Sequence, residues 1–172
     1  MTAAEREPDV AAAPGREPTA WTLPLQRAAA GYLVVYALAQ LVTNTVLVSE
    51  AALERTLRAT DPLLTPDDVR GTAMLDYEVG IVLVVVITIA LGALAIASLR
   101  GWRWAFWVDL VALALVGVTV LTNALALANP TVQALPPAAI VVNLLIAMAA
   151  LALLVWFAAA AARYGPWAMR RP

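Results

Sequence analysis

The chain has 172 residues, of which 63% are hydrophobic and 13% are charged, and its formal net charge is −1. An ordinary soluble domain is about half apolar and about a quarter charged, so this composition indicates a chain surrounded by lipid. Cys, His and Lys are all missing, which excludes disulfides, Cys/His metal sites and the commonest general base. We therefore expect no enzyme, no cofactor or metal and no nucleic-acid partner, with the lipid bilayer as the first partner.

The N-terminal segment, residues 1–26, carries Pro residues, short Ala runs and charges of both signs. So little apolar content predicts a disordered tail. The segment is not predicted to be a signal peptide, because no apolar core stands before a small-residue cleavage site. The first predicted span follows at about 28–50. We expect its helix to continue beyond the membrane to about Arg58.

An acidic connection follows, and we predict an extended outer hairpin over about 51–76. Within it, Thr65-Pro66-Asp67-Asp68 has the pattern of a helix start. Thr is a good N-cap, Pro fits the first helical position, and acids are favoured in the first turn. The second helix is therefore predicted to begin near Pro66 and to cross the membrane at about 77–99.

Two further spans are predicted at about 104–128 and 138–162. Asn129-Pro130 and Pro136-Pro137 are the breaks that divide this long uncharged region into two helices. The sequence therefore predicts an all-α polytopic membrane protein, an up-down-up-down bundle of four transmembrane helices over 27–163. Residues 164–172 are predicted to form a basic tail.

The Arg residues predict the orientation. Eight of the eleven lie in the N-terminal segment through Arg27, the 100–103 turn and the C-terminal end from Arg163 onward, and three lie in the 50–78 connection. Positive residues favour the cytoplasmic side of a membrane. We expect a multi-pass protein of the cell membrane with both termini cytoplasmic.

Amide side chains recur at one predicted depth on three spans. Asn44, Asn123 and Asn143 each lie about 9 Å from the outer end of their span, by the helical rise, and Gln40 is nearby. They are predicted to face the bundle interior, with at least two in contact directly or through one water. Two interpretations of this layer are open. The amides either form hydrogen bonds between the helices or line a polar pocket that is open to the outer side.

Asp109 is the only acidic residue inside a predicted span, apart from Glu50 and Glu78 at the outer ends of the first two spans. An ionisable residue within the membrane is a functional candidate, with a proton or substrate role. It also lies close enough to the inner interface to pair with Arg27, Arg100 or Arg163. We expect its side chain to point toward an Arg.

A basic aromatic turn separates the second and third spans. Trp and Arg side chains favour the membrane interface, so the turn is predicted to be an interfacial anchor, with a lipid head-group site as the alternative. A cation–π contact is expected between Arg103 and Trp107, which are four residues apart. The anchor comprises Arg100, Trp102, Arg103, Trp104 and Trp107.

The layout resembles the small uncharacterised four-span integral membrane proteins of high-GC bacteria. The features in common are the Pro-rich tail, the L-T-P-D-D helix start (Leu64 to Asp68) and the R-G-W-R-W-A turn (Arg100 to Ala105). The resemblance implies a membrane bundle and no particular activity.

Two functions are compatible with these observations. The first is a non-enzymatic structural or interaction subunit that packs against another membrane protein or a second copy of itself. Small residues on the second span, Gly92, Ala93 and Ala97, favour it because they permit close helix packing. The alternative is a small transporter or channel subunit that uses the Asn layer and Asp109.

Overall fold

A computed structural model describes residues 17–128 and 135–170 of the chain. The predicted tail up to residue 16, most of the turn after the third span and the last two residues lie outside this range. The described part is built from α-helices, with one two-residue antiparallel pairing between β1 and β2. The elements are β1 (Glu17–Pro18), α1 (Thr22–Val42), α2 (Glu50–Thr60), α3 (Pro66–Leu99), α4 (Arg103–Ala128), α5 (Pro137–Tyr164) and β2 (Met169–Arg170).

Four helices are long and apolar enough to cross a membrane. They are α1 with the π-helical turn Thr43–Leu47 that continues it, α3, α4 and α5. Large hydrophobic side chains are exposed along all four, which is the surface expected of helices in contact with lipid. The predicted all-α, four-helix, multi-pass architecture is confirmed.

The first helix differs from its prediction at both ends. It begins at Thr22, inside the segment predicted to be a disordered tail, and Leu25 is fully buried. It does not continue to Arg58, because Val48 and Ser49 are extended and α2 is a separate helix. The physical reason is local: β-branched residues crowd the end of α1, and the Ser49 side chain accepts a hydrogen bond from the backbone N–H of Ala52.

The start of α3 follows the prediction. Thr65 is extended, its side chain accepts a hydrogen bond from the backbone N–H of Asp68 at 3.3 Å, and Pro66 is the first helical residue. The first turns of α3 pack against α2, where Val69 and Ala73 are buried. The predicted helix start is therefore confirmed, and α2 with the beginning of α3 forms an extended cap on the bundle.

The spans pack mainly as two pairs of sequential helices. α1 lies against α3, and α4 lies against α5, with fewer contacts between the pairs. We call the end of the bundle near the 100–103 turn the turn end, and the end capped by α2 the hairpin end. The shared hydrophobic core lies toward the turn end, where Leu33, Leu94, Phe106 and Phe157 contribute to one cluster.

The segment after α5 returns to this core instead of leaving it as a tail. Trp167 is fully buried against Phe106 and Phe157, with ring centroids 5.3 Å and 5.8 Å apart. Its neighbour Ala168 accepts a hydrogen bond at its carbonyl from the Thr22 hydroxyl at 3.2 Å. Residues predicted to belong to a basic tail therefore pack into the core and cover the turn end. We call this set of contacts, made by Trp167 and Ala168, the closure of the turn end.

Candidate functional site

A polar cavity of about 300 Å³ lies between three spans, toward the hairpin end. Six of its lining side chains carry a hydroxyl or an amide, and none is charged. It therefore offers hydrogen bonds without a net charge. The lining residues are Tyr36 and Gln40 of α1, Val116, Thr119, Thr122 and Asn123 of α4, and Asn143 and Ile146 of α5.

The α4 wall of the cavity is held in place by hydrogen bonds within its own helix. The Asn123 Nδ2 donates to the Thr119 carbonyl at 2.8 Å, and the Thr122 hydroxyl donates to the same carbonyl at 2.9 Å. The Thr119 hydroxyl donates to the Val116 carbonyl at 2.7 Å. The Asn123 Nδ2 also donates to the Thr119 Oγ1, at 3.3 Å. Because these donors are already used, the wall presents mainly hydrogen-bond acceptors, and the Thr119 oxygen is one that already accepts one hydrogen bond.

Asn143 supplies a buried oxygen of the cavity, Oδ1, that lacks a hydrogen bond within the described part of the chain. A buried amide oxygen without a partner is costly, so the position favours a ligand that donates a hydrogen bond. α5 is tied to α1 beside this point, because the Tyr32 hydroxyl donates to the Ile146 carbonyl at 3.3 Å.

A second cavity of about 230 Å³ lies between α1 and α3. It shares Tyr36 and Gln40 with the first cavity, and it is lined in addition by Asn44 and by mainly apolar residues of α3. The Asn44 Nδ2 donates to the Gln40 carbonyl at 2.8 Å. Asn44 is therefore separated from the other two Asn side chains by the α1 helix itself.

The predicted amide layer is brought together only in part. Gln40, Asn123 and Asn143 line one cavity, while Asn44 lines the neighbouring one. Within residues 17–128 and 135–170, no direct hydrogen bond joins two of the three Asn side chains. The reason is that Asn44 and Asn123 each donate to the carbonyl one turn earlier on their own helix.

Asp109 lies in the shared core and is only 1% exposed. Its Oδ2 is 2.6 Å from the Ser98 Oγ of α3, which is also 2.8 Å from the Leu94 carbonyl. Its Oδ1 is buried without a hydrogen-bond partner in the described part of the chain. The side chain of Asp109 is thus held by a neutral hydroxyl group.

The expected pairing of Asp109 with an Arg is wrong. The one ion pair in the described ranges joins Arg58 and Glu54 on α2, at 3.5 Å. Arg27, Arg100 and Arg163 are exposed at the turn end, where water can solvate them, whereas the α3–α4 hairpin turns Ser98 toward Asp109. Sequence reasoning missed Ser98, although it is one of two hydroxyl residues in the apolar stretch 79–99.

One face of α4 connects these features in order. Phe106 belongs to the aromatic closure of the turn end, and Asp109 follows one turn later. Leu113, which is 2% exposed, comes next, and Val116 marks the edge of the polar cavity. An apolar layer therefore separates the buried carboxyl from the cavity, and the two are about 10 Å apart along the helix.

The anchor residues all lie at the turn end and are exposed. Trp102 is 45% exposed, and Trp104 and Trp107 are each 52% exposed, as is usual for side chains that contact an interface. The Arg100 guanidinium lies 5.7 Å from the Trp102 ring centroid, so the cation–π contact involves this pair and not the expected Arg103 and Trp107. The lipid interface remains the predicted partner of this surface.

Comparison with known proteins adds no assignment. No protein-family model matches the chain, and no curated protein or solved structure matches it.

Proposed function

We propose that the chain is a non-enzymatic multi-pass protein of the cell membrane that binds a small, uncharged polar solute, as a small transporter or channel subunit. The observation that carries the proposal is the buried, unpartnered Asn143 Oδ1 in a cavity lined by amides and hydroxyls. Its volume is at the small end of the range for ligand pockets, roughly 300–1,000 Å³, which favours a small solute.

The absence of charge in the cavity lining sets the ligand class. An ionic solute would lose its hydration without gaining an opposite charge, whereas a polyol or a small amide can donate hydrogen bonds to the acceptors of the wall. The Thr119, Asn123 and Asn143 side chains supply those acceptors. With the turn end on the cytoplasmic side, the cavity lies in the outer half of the membrane.

A second candidate is the structural or interaction subunit favoured by the sequence. It is supported by two glycines of the spans, because a Cβ added at Gly31 or Gly92 would have no atom within 4 Å. Such positions permit the close approach of another helix. We rank the interaction subunit below the solute-binding protein. The cavity contains an unsatisfied hydrogen-bonding group, whereas the glycine positions provide only space for another helix.

Solute flux through proteoliposomes tests the leading proposal. Osmotic swelling in glycerol, urea and mannitol would be followed by light scattering, with protein-free liposomes as the baseline. We expect swelling above baseline for at least one solute, and a loss of most of that excess in Asn143→Leu. Thr45→Val, which removes an exposed hydroxyl of the π-helical turn outside both cavities, is the matched control.

Swelling at the baseline rate for all three solutes, from correctly inserted protein, would contradict solute passage. In that case chemical crosslinking in native membranes tests the second candidate, the interaction subunit. We then expect a specific crosslinked complex in the wild type and its loss in Gly31→Leu or Gly92→Leu.

A further inference from the structure

The hydrogen bonds around Ser98 contain one proton too few for an ionised Asp109. The Ser98 Oγ is within hydrogen-bond distance of two acceptors, the Asp109 Oδ2 and the Leu94 carbonyl. A serine hydroxyl has a single proton, so it makes one full hydrogen bond as donor. A backbone carbonyl cannot donate, and the second contact is therefore complete only if the carboxyl supplies a proton.

We propose that Asp109 is a buried proton-binding site: its carboxyl carries a proton at neutral pH and donates it to Ser98, which in turn donates to the Leu94 carbonyl. The chain of groups is O–H···O–H···O=C, and each hydrogen has one acceptor. This inference goes beyond the proposed solute cavity and does not depend on it.

Charge balance around the carboxyl supports the proposal. An isolated carboxylate in an apolar core is far more costly than a neutral carboxylic acid. Among the side chains that the structure describes, the cationic groups near this end are Arg27 on α1, Arg100 and Arg103 at the α3–α4 turn, and Arg163 on α5. All four are exposed, and none forms an ion pair with Asp109 in the described structure.

The second carboxyl oxygen supports the same conclusion. Asp109 Oδ1 is buried and has no hydrogen-bond partner in the part of the chain that the structure describes. On a carboxylate this oxygen would share the full negative charge and would require a hydrogen bond or a cation. On a neutral acid it is an ordinary carbonyl oxygen, for which a missing partner costs much less.

Infrared spectroscopy of the full-length protein in lipid at neutral pH tests this site. We expect a carbonyl stretching band of a protonated carboxylic acid in the wild type and its loss in Asp109→Asn. Asn is a close isostere whose amide N–H replaces the acid proton as the donor to Ser98, so the fold is retained. Asp76→Asn, which changes an exposed acid of α3, is the matched control and keeps the band.

Ser98→Ala provides an independent readout, because it keeps the acid and removes its acceptor. The band should shift to the higher frequency of a carboxylic acid without a hydrogen bond. A wild-type spectrum without a protonated-carboxyl band would overturn the proposal, whatever the variants do. A band that persists unchanged in Asp109→Asn would overturn it as well, since the proton would then belong to another residue.

Discussion

The indole Nε1 of Trp167 donates a hydrogen bond to the backbone carbonyl of Trp102, with a distance of 2.8 Å. The bond joins the segment after α5 to the start of α4, across 65 residues of sequence. Trp167 adopts this position with a positive φ of 58°, and Ala168 follows with 53°. A conformation that L-residues rarely adopt is retained here because the buried ring and its hydrogen bond offset the strain.

Truncation of Trp167 should destabilise the whole bundle. Trp167→Ala removes a fully buried ring, so we expect a loss of about 3–5 kcal/mol in the free energy of unfolding. Reversible unfolding in mixed micelles, followed by circular dichroism, measures the change. Trp104→Ala, at a 52% exposed position, is the matched control and should have a much smaller effect. Equal losses in the two variants would show that the ring of Trp167 is not part of the core.

A glycine of α4, Gly117, allows α4 and α5 to pack closely together. A Cβ added at Gly117 would lie 2.4 Å from the Leu151 Cδ2 and 3.0 Å from its Cγ. We therefore expect Gly117→Ala to destabilise the protein by about 1 kcal/mol, at the low end for overpacking, because Leu151 is 39% exposed and its side chain can move. The comparison is Gly92→Ala, where a Cβ meets no atom within 4 Å and where the substitution should stabilise by about 0.4–1 kcal/mol.

A double variant checks the cause of that loss. In Gly117→Ala with Leu151→Val, the shorter side chain makes room for the new methyl group. The double variant should then be less destabilised than the sum of the two single changes. Strict additivity would mean that Leu151 is not the residue that resists the substitution.

Removal of the N-cap of α3 should affect only the first turn of that helix. Thr65→Ala removes the acceptor for the Asp68 backbone N–H, which costs about 1 kcal/mol at a typical cap. Because the cap lies at the far end of a helix of 34 residues, we expect fraying of its first turn and an intact bundle. Hydrogen exchange should become several-fold faster at the amides of residues 68–70. Thr60→Ala, at the end of α2, is the control that should leave those amides unchanged.

The orientation can be measured directly because the chain has no Cys. A single cysteine in Leu63→Cys, at a side chain 92% exposed in the α2–α3 connection, should react with a membrane-impermeant maleimide in intact cells. A cysteine in Ala162→Cys, exposed near the end of α5, should react only after the membrane is permeabilised. The reverse pattern would place both termini outside.

Features that depend on local sequence were predictable, and those that depend on contacts between distant residues were not. Apolar length was sufficient for the four spans, and the Thr65-Pro66 pattern for the start of α3. The Ser98 partner of Asp109 was missed because opposite charge suggested an Arg, whereas the α3–α4 hairpin geometry turns a hydroxyl toward the carboxyl. Trp167 was assigned to a basic tail because nothing in its neighbouring sequence shows that the chain turns back there.

The candidate site was also predictable only where it depends on local sequence. The sequence predicted that amides would recur at one depth, and Gln40, Asn123 and Asn143 do line one cavity. It did not predict that Asn44 would lie on the other side of α1, because a small rotation of a helix decides which cavity a side chain enters. It also did not predict that Asn123 would use its donor on its own backbone.

The pairing of α1 with α3 and of α4 with α5 has a consequence for biogenesis. Each span packs mainly against the span synthesised next to it, so most helix contacts can form as two successive hairpins leave the insertion machinery. The closure at the turn end is different, because it joins Thr22 to Ala168 and cannot form before α5 has been made. The bond between Thr22 and Ala168 is therefore among the last contacts of the bundle that can form during synthesis.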